Sequence, residues 1–185
     1  MPGQPPSPPR RTTWTRRQNL LRVVWSSLGR LLWLVLPPFR SSLLRLFGGA
    51  VGPGCRFARS VEIDIPWTLR IGRNVQVGEQ AILYGLGTIT IGDDAVLDRK
   101  AHLCAGTHDM NDPQFALLRP PVTIGRGCFI GYDAYIGPGV TIGDRCRILP
   151  RASVYRNWGA DLVLRGNPAA PVPAEEPPPP AEDRT

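Results

Sequence analysis

The sequence predicts an all-β solenoid, a parallel β-helix built from hexapeptide repeats, and three observations carry that expectation. A large aliphatic recurs every sixth residue. The series runs Ile71, Val77, Leu83, then after a two-residue slip Ile91, Leu97, Leu103, and after a break at 108–121 Ile124, Ile130, Ile136, Ile142, Ile148, Val154. Glycine often follows the aliphatic, as at Gly72, Gly78, Gly92, Gly125, Gly131, Gly137 and Gly143. Four places after the aliphatic sits a small or β-branched residue, from Val75, Ala81, Ala95, Ala101 and Thr107 to Cys128, Ala134, Val140, Cys146 and Ala152. A helix repeats every 3.6 residues and a half-buried strand every two, so a sustained six belongs to neither; it is the mark of a β-helix.

Each hexapeptide then supplies one short strand and one turn, and three of them close a triangular coil. The aliphatic points inward and stacks on its equivalents in the neighbouring coils, so burial is shared along the axis. Glycine suits the corner, where a Cβ would crowd the bend, and the small residue fills the narrow interior edge. Backbone edges remain only at the two ends, which need caps. The division expected on this basis is a basic, Pro-rich disordered tail at 1–17, a helical cap or membrane-interface segment at 18–49, the β-helix at 50–170 with a loop at 108–121, and a second disordered Pro-rich tail at 171–185.

Charge is unevenly spread. The chain is net +7, yet residues 1–61 hold ten Arg and no acid, so the rest is net negative. A partner of negative charge is implied for the N-terminal part. No nucleic-acid module is recognisable, so nucleic acid is not expected. An anionic membrane surface fits better, because Asn19–Phe47 is rich in Leu, Val, Trp and Phe as well as Arg. The uninterrupted apolar run Leu31–Leu36 is far shorter than the roughly 20 residues of a spanning helix. The segment therefore reads as two helices broken at Pro37–Pro38, which either lie in a bilayer interface or cap the first coil. Arg22 and Arg30 interrupt the apolar stretch and no A-x-A-like site follows it, so no secretion signal is read and the cytoplasm is the expected compartment. The four cysteines lack C-x-x-C spacing, so no metal is expected; Cys55, Cys128 and Cys146 fall at small interior positions.

Chemistry is expected where the repeat breaks. His102–Pro121 reads HLCAGTHDMNDPQFALLRPP, and His108 closes the hexapeptide Leu103–His108 before the polar excursion that holds Asp109, Asp112 and Arg119. A long polar loop on a rigid scaffold is a common place for functional side chains, and imidazole is suited to proton transfer near neutral pH. The other histidine, His102, sits one residue before an inward aliphatic and reads as structural. From position alone, His108 could equally be a solvated histidine at the edge of a loop.

The stretches IGRNVQVGE at 71–79, IGDDAV at 91–96, LCAGTHD at 103–109, PGVTIGD at 138–144 and GNPA at 166–169 resemble the hexapeptide-repeat, left-handed parallel β-helix acyltransferases. The helical stretch ending in LLRLFG at 43–48, the PWTLRIG opening at 66–72 and the THDMNDPQF loop at 107–115 are similar to colanic-acid-biosynthesis-type sugar O-acetyltransferases. The resemblance implies an acetyl-CoA-dependent O-acetyltransferase acting on a sugar hydroxyl of an exopolysaccharide or other cell-surface glycan precursor. It implies His108 as general base, with Asp109, Asp112, Arg119 and Tyr84 near the acceptor. It further implies a homotrimer, with acetyl-CoA in a groove between two β-helices along Phe129, Gly131, Ala134, Ala152, Arg156, Gly166, Asn167 and Pro168. The sequence departs at Ala170–Pro171, where relatives carry Lys or Arg, and beside Tyr84, where relatives carry Asp or Asn. N-acetylation of an amino-sugar and a non-catalytic scaffold are the alternatives. A γ-class carbonic anhydrase shares the fold, but it needs three imidazoles on one zinc, and this chain has two histidines.

Overall fold

The computed structural model describes residues 14–172, so most of the two expected Pro-rich tails lies outside the described residues. Residues 50–172 form a parallel β-helix whose three faces are sheets of short stacked strands. The first face runs Ala50–Val51, Leu69–Ile71, Ile89–Ile91, Val122–Ile124 and Thr141–Ile142. The second runs Arg56–Phe57, Gln76–Val77, Val96–Leu97, Phe129–Ile130, Arg147–Ile148 and Val163–Arg165, which makes about six coils. The third runs Glu62–Ile63, Ile82–Tyr84, His102–Cys104, Tyr135–Ile136 and Ser153–Val154.

Register explains the period of six. Ile124 pairs with Ile91 and Ile142, Ile130 with Leu97 and Ile148, and Ile136 with Leu103 and Val154. Every aliphatic of the predicted series is buried, and Ile124, Ile130, Ile136, Ile142 and Ile148 are each at most 1 % exposed. The glycines after them are required by closeness between coils. A Cβ on Gly125 would stand 2.5 Å from the carbonyl carbon of Gly143 in the next coil. The turns also use the left-handed backbone region at residues that are not glycine, among them Asn74, Asp94, Asp133 and Asp161. Asn and Asp tolerate that region better than most side chains. Ion pairs between coils reinforce the corners, as Arg73 with Asp93 at 2.9 Å and Arg126 with Asp144 at 3.1 Å.

The two-residue slip before Ile91 lengthens the corner between the third and first faces, and Ile89 and Ile91 lie on one strand, both buried. The same corner holds the short 3-10 turn Pro66–Thr68 one coil earlier and the long excursion one coil later. That excursion starts sooner than expected. Ala105 is the last residue bonded into the coil, its N–H donating to Tyr84 O and its carbonyl accepting from Gly87, and the ladder resumes where Val122 N–H donates to Thr88 O. Thr107, expected inside, is therefore exposed, and His108 does not close a hexapeptide.

The N-terminal segment is a cap. Helix α1 (Arg16–Val24) continues through one π-helical turn at Trp25–Gly29 into α2 (Arg30–Val35). The chain breaks at the 3-10 turn Pro37–Phe39, and α3 (Arg40–Leu46) follows. Thr15 closes a capping box with Gln18 at the start of α1. Trp25 and Trp33 sink against the first coil, and their indole N–H groups donate to Ile63 O (2.7 Å) and Arg59 O (3.0 Å). The buried Arg40 donates to Trp33 O and Phe57 O, so the cap is tied to backbone carbonyls that a solenoid end would otherwise leave unpaired. At the other end Ala170–Pro171 returns antiparallel to Val163–Arg165 and closes the second face.

Candidate active site

The excursion between Gly106 and Pro121 is a hairpin. Thr107–His108 pairs antiparallel with Leu117–Leu118. It leaves the coil at Gly106, where any side chain would run into the Tyr84 ring (3.0 Å) and Leu86 (2.9 Å). Its tip is shaped by two Asx turns: the Asp109 carboxylate accepts from Asn111 N–H (3.0 Å) and the Asp112 carboxylate from Gln114 N–H (2.9 Å). Both carboxylates are thus engaged in holding the loop. Neither is the partner of His108.

That partner is Phe115. The imidazole stacks on the Phe115 ring with centroids 4.4 Å apart and planes 14° from parallel. Its Nδ1 lies 2.7 Å from the Phe115 carbonyl oxygen. A carbonyl oxygen only accepts, so Nδ1–H donates to it, and in the neutral ring the lone pair falls on Nε2. Phe115 adopts φ 53° to present that carbonyl. The left-handed region is a true outlier for a bulky side chain and costs on the order of 1 kcal/mol or more. Sequence reasoning placed Phe115 in the loop motif but gave it no role; hydrogen bonding to its backbone leaves no trace in residue type.

The remaining candidates divide between two edges of the prism. Tyr84, at the end of its third-face strand, lies at the same corner as the hairpin, half-buried, and its hydroxyl is pushed to higher pKa by burial and then by Asp64. Arg119, just past the hairpin, lays its guanidinium 4.0 Å from the centre of the Trp14 ring. Its Nε and Nη2 are buried and find no hydrogen-bond partner among the described residues. Trp14 in turn meets Trp67 edge-on at 6.2 Å. Arg156 also falls at this corner, exposed and 4.3 Å over Trp158.

Gly131, Ala134, Ala152 and Gly166–Pro168 lie instead at the corner between the second and third faces, and Phe129 on the second face beside it. Ala134 and Ala152 are fully buried, backbone as well as methyl, so neither presents a surface to a ligand on the single chain. The peptide Asn167–Pro168 is cis, and Gly166 O accepts from Ser153 N–H. One chain therefore does not gather the two groups of residues around a common cavity.

His102 stands at the start of its third-face strand. It is half-buried with its ring edge-on to Tyr135 at 5.2 Å. Burial lowers its pKa, against the smaller opposing pull of Asp64 and Glu62. The thiols of Cys55, Cys128 and Cys146 donate to the glycine carbonyls of the following coil, at Gly72, Gly143 and Gly159. Cys55, expected inside, is only partly buried because it belongs to the first coil, where the stack ends. Among the described residues no group of three His, Cys, Asp or Glu is placed to hold a metal ion.

Residues 118–156 match the bacterial transferase hexapeptide family, described by six repeats. WcaF of Escherichia coli K12, named for colanic acid biosynthesis and acetyltransferase activity, is 41 % identical over 138 residues, which cover 75 % of this chain and 76 % of that one. Two solved structures share the fold. A galactoside acetyltransferase in complex with coenzyme A superposes with a TM-score of 0.78 at 23 % identity, over 87 % of this chain and 84 % of its own. The hexapeptide-repeat acetyltransferase VCA0836 of Vibrio cholerae, complexed with acetyl coenzyme A, gives 0.76 at 20 % identity, over 85 % and 88 %. The coils, the cap and the extent of the match to WcaF lead to one assignment: the chain belongs to the hexapeptide-repeat acetyltransferases of the colanic acid biosynthesis type.

Proposed function

We propose that this protein transfers the acetyl group of acetyl-CoA to a hydroxyl of a sugar in an exopolysaccharide or other cell-surface glycan precursor, with His108 as general base. The observation that supports this is the 2.7 Å contact between His108 Nδ1 and the Phe115 carbonyl. It holds the imidazole in the tautomer whose exposed Nε2 can accept a proton. As the acceptor oxygen forms its bond to the acetyl carbonyl carbon, His108 Nε2 takes the hydroxyl proton. The carbon–sulfur bond then breaks, and the proton passes to the departing thiolate. Both substrates bind together, so no acyl-enzyme is needed.

In this reading Tyr84, Asp109, Asp112 and Arg119 surround the acceptor at the hairpin corner. Acetyl-CoA lies along Phe129, Gly131, Ala134, Ala152 and Gly166–Pro168, with Arg156 as a cation for its phosphates. Ala134 and Ala152, buried on the single chain, would form the close-packed floor beneath the groove. The placement of the two groups on different edges of one prism supports a homotrimer, in which the hairpin of one subunit faces the second-to-third corner of its neighbour. The enzyme would work in the cytoplasm. The test is mass spectrometry of products after incubating pure protein and acetyl-CoA with a panel of free sugars, amino-sugars and lipid-linked oligosaccharides, alongside sedimentation. A mass gain of one acetyl on a hydroxyl, made by a trimer, supports the reading. Acetylation of amines only, or no transfer by a well-folded trimer, overturns it.

A further inference from the structure

We infer that the outward face of the α1–α2 cap is a docking surface for an anionic lipid bilayer. This reading does not depend on the acetyl-transfer chemistry. A helix packed on a protein normally turns a polar face to water. Here the inward face is used by Trp25, Gly29 and Trp33, spaced at one helical turn. The opposite face is apolar too. Leu20 is 64 % exposed, Val23 63 %, Leu31 56 % and Val35 58 %, and Leu28 and Leu34 are also exposed. Phe39 and Leu46 extend the patch beyond the Pro37–Pro38 break. So many exposed apolar side chains on one helical segment mark a contact with something.

Charge identifies the occupant. Arg16, Arg17, Arg22 and Arg30 are exposed on the same helices, which hold no acidic residue, and Arg22 and Arg30 lie within electrostatic reach of Asp64 on the first coil. A second copy of this chain would bring arginines against arginines, whereas an anionic headgroup layer meets both the charge and the leucines. Among the described residues no helix is long and apolar enough to cross a membrane. An apolar stripe with flanking Arg matches a helix lying in the interface plane. The indole hydrogen bonds of Trp25 and Trp33 fix the inward side, so the leucine face is presented whether or not lipid is there.

Vesicle flotation of the full chain tests this. Vesicles of phosphatidylcholine with phosphatidylglycerol should carry the protein up, and pure phosphatidylcholine should bind about tenfold less, since one Arg near an anionic surface contributes about fivefold. Raising salt from about 0.1 to about 1 M cuts the screening length from about 10 to about 3 Å, and most of the bound protein should come off. The double substitution Leu20→Asp with Leu31→Asp should abolish flotation while melting temperature and sedimentation stay as in the parent. If that variant fails to fold, Arg16→Gln with Arg17→Gln, at the helix start, should still weaken anionic binding by tenfold or more. No flotation, or equal flotation on both vesicle types, overturns the inference. So does a change of oligomeric state in the Leu20/Leu31 variant, which would assign the face to a neighbouring subunit.

Discussion

His108 is held by a residue seven positions later through two contacts at once: its ring stacks on the Phe115 ring, and its Nδ1 bonds to the carbonyl of that same residue. Stacking sets the plane of the imidazole, and the hydrogen bond sets its rotation and tautomer. Phe115 must take a left-handed backbone to do both. Local strain is thus spent on aiming one nitrogen lone pair outward.

Phe115→Leu should lower kcat by roughly 10–100-fold, because misplacement of a catalytic group by about 1 Å has effects of that order. KM for acetyl-CoA should change little. Phe115→Gly accepts the positive φ without strain and keeps the carbonyl, so its kcat should lie between those of Leu and the parent. Steady-state kinetics decide this, and nitrogen NMR of labelled histidine should show the neutral His108 ring of the parent as the Nδ1–H tautomer. Equal rates for the Leu variant and the parent would remove Phe115 from the site.

His108→Gln should preserve fold, oligomeric state and acetyl-CoA binding, because the side chain is exposed on a hairpin outside the core. Loss of a positioned base typically lowers the rate ~100–10,000-fold, and the loss should appear in kcat rather than in KM for acetyl-CoA. More than about a third of parental kcat remaining would rule out the base role.

His102 should matter to stability and its pH dependence, not to turnover. Burial lowers its folded pKa, so the folded protein prefers the neutral ring. The associated stability is present above the unfolded value of about 6.5 and is lost as pH falls through that value toward the folded pKa. Asp64, whose carboxyl is raised mainly by burial, acts in the opposite direction, and Glu62 and Tyr135 also face the ring. His102→Phe should therefore lose fewer degrees of melting temperature than the parent between pH 7.5 and about 5, measured by calorimetry, with kcat within about twofold. A parallel pH profile would contradict this.

Gly125→Ala should destabilise the middle of the solenoid. Its Cβ would meet the Gly143 backbone at 2.5 Å, and backbone in the next coil cannot move aside without breaking the ladder. Overpacking of this kind costs about 1–3 kcal/mol, read as a lower denaturant midpoint. An unchanged midpoint would mean the coils are not stacked as closely as the registers imply.

The inward columns were legible because each aliphatic stacks on its own kind, and burial repeats with the sequence. The exit point of the hairpin was not. Thr107 satisfies the small-residue position four places after Leu103, yet it pairs with Leu118, and antiparallel pairing across ten residues leaves no periodic mark. His108 is a candidate by the family motif alone, whereas its contact with Phe115 depends on a backbone carbonyl and a φ angle. The cap was ambiguous for a physical reason: leucine and tryptophan serve equally to bury a helix on protein and to present it elsewhere. Along the α1–α2 cap the structure puts Trp25 and Trp33 on the inside and leaves Leu20, Leu28, Leu31 and Leu34 outside.

The corner between the third and first faces takes a short 3-10 turn at Pro66–Thr68, two extra residues before Ile89, and an entire hairpin before Val122, while the strands on either side stay in register. Ala105 and Val122 close the ladder on both sides of the hairpin, so chain between them can be lengthened, shortened or replaced with little strain on the scaffold. The fold therefore separates inheritance from innovation: the prism transmits a rigid frame, and the chain crossing one of its edges is free to vary in length.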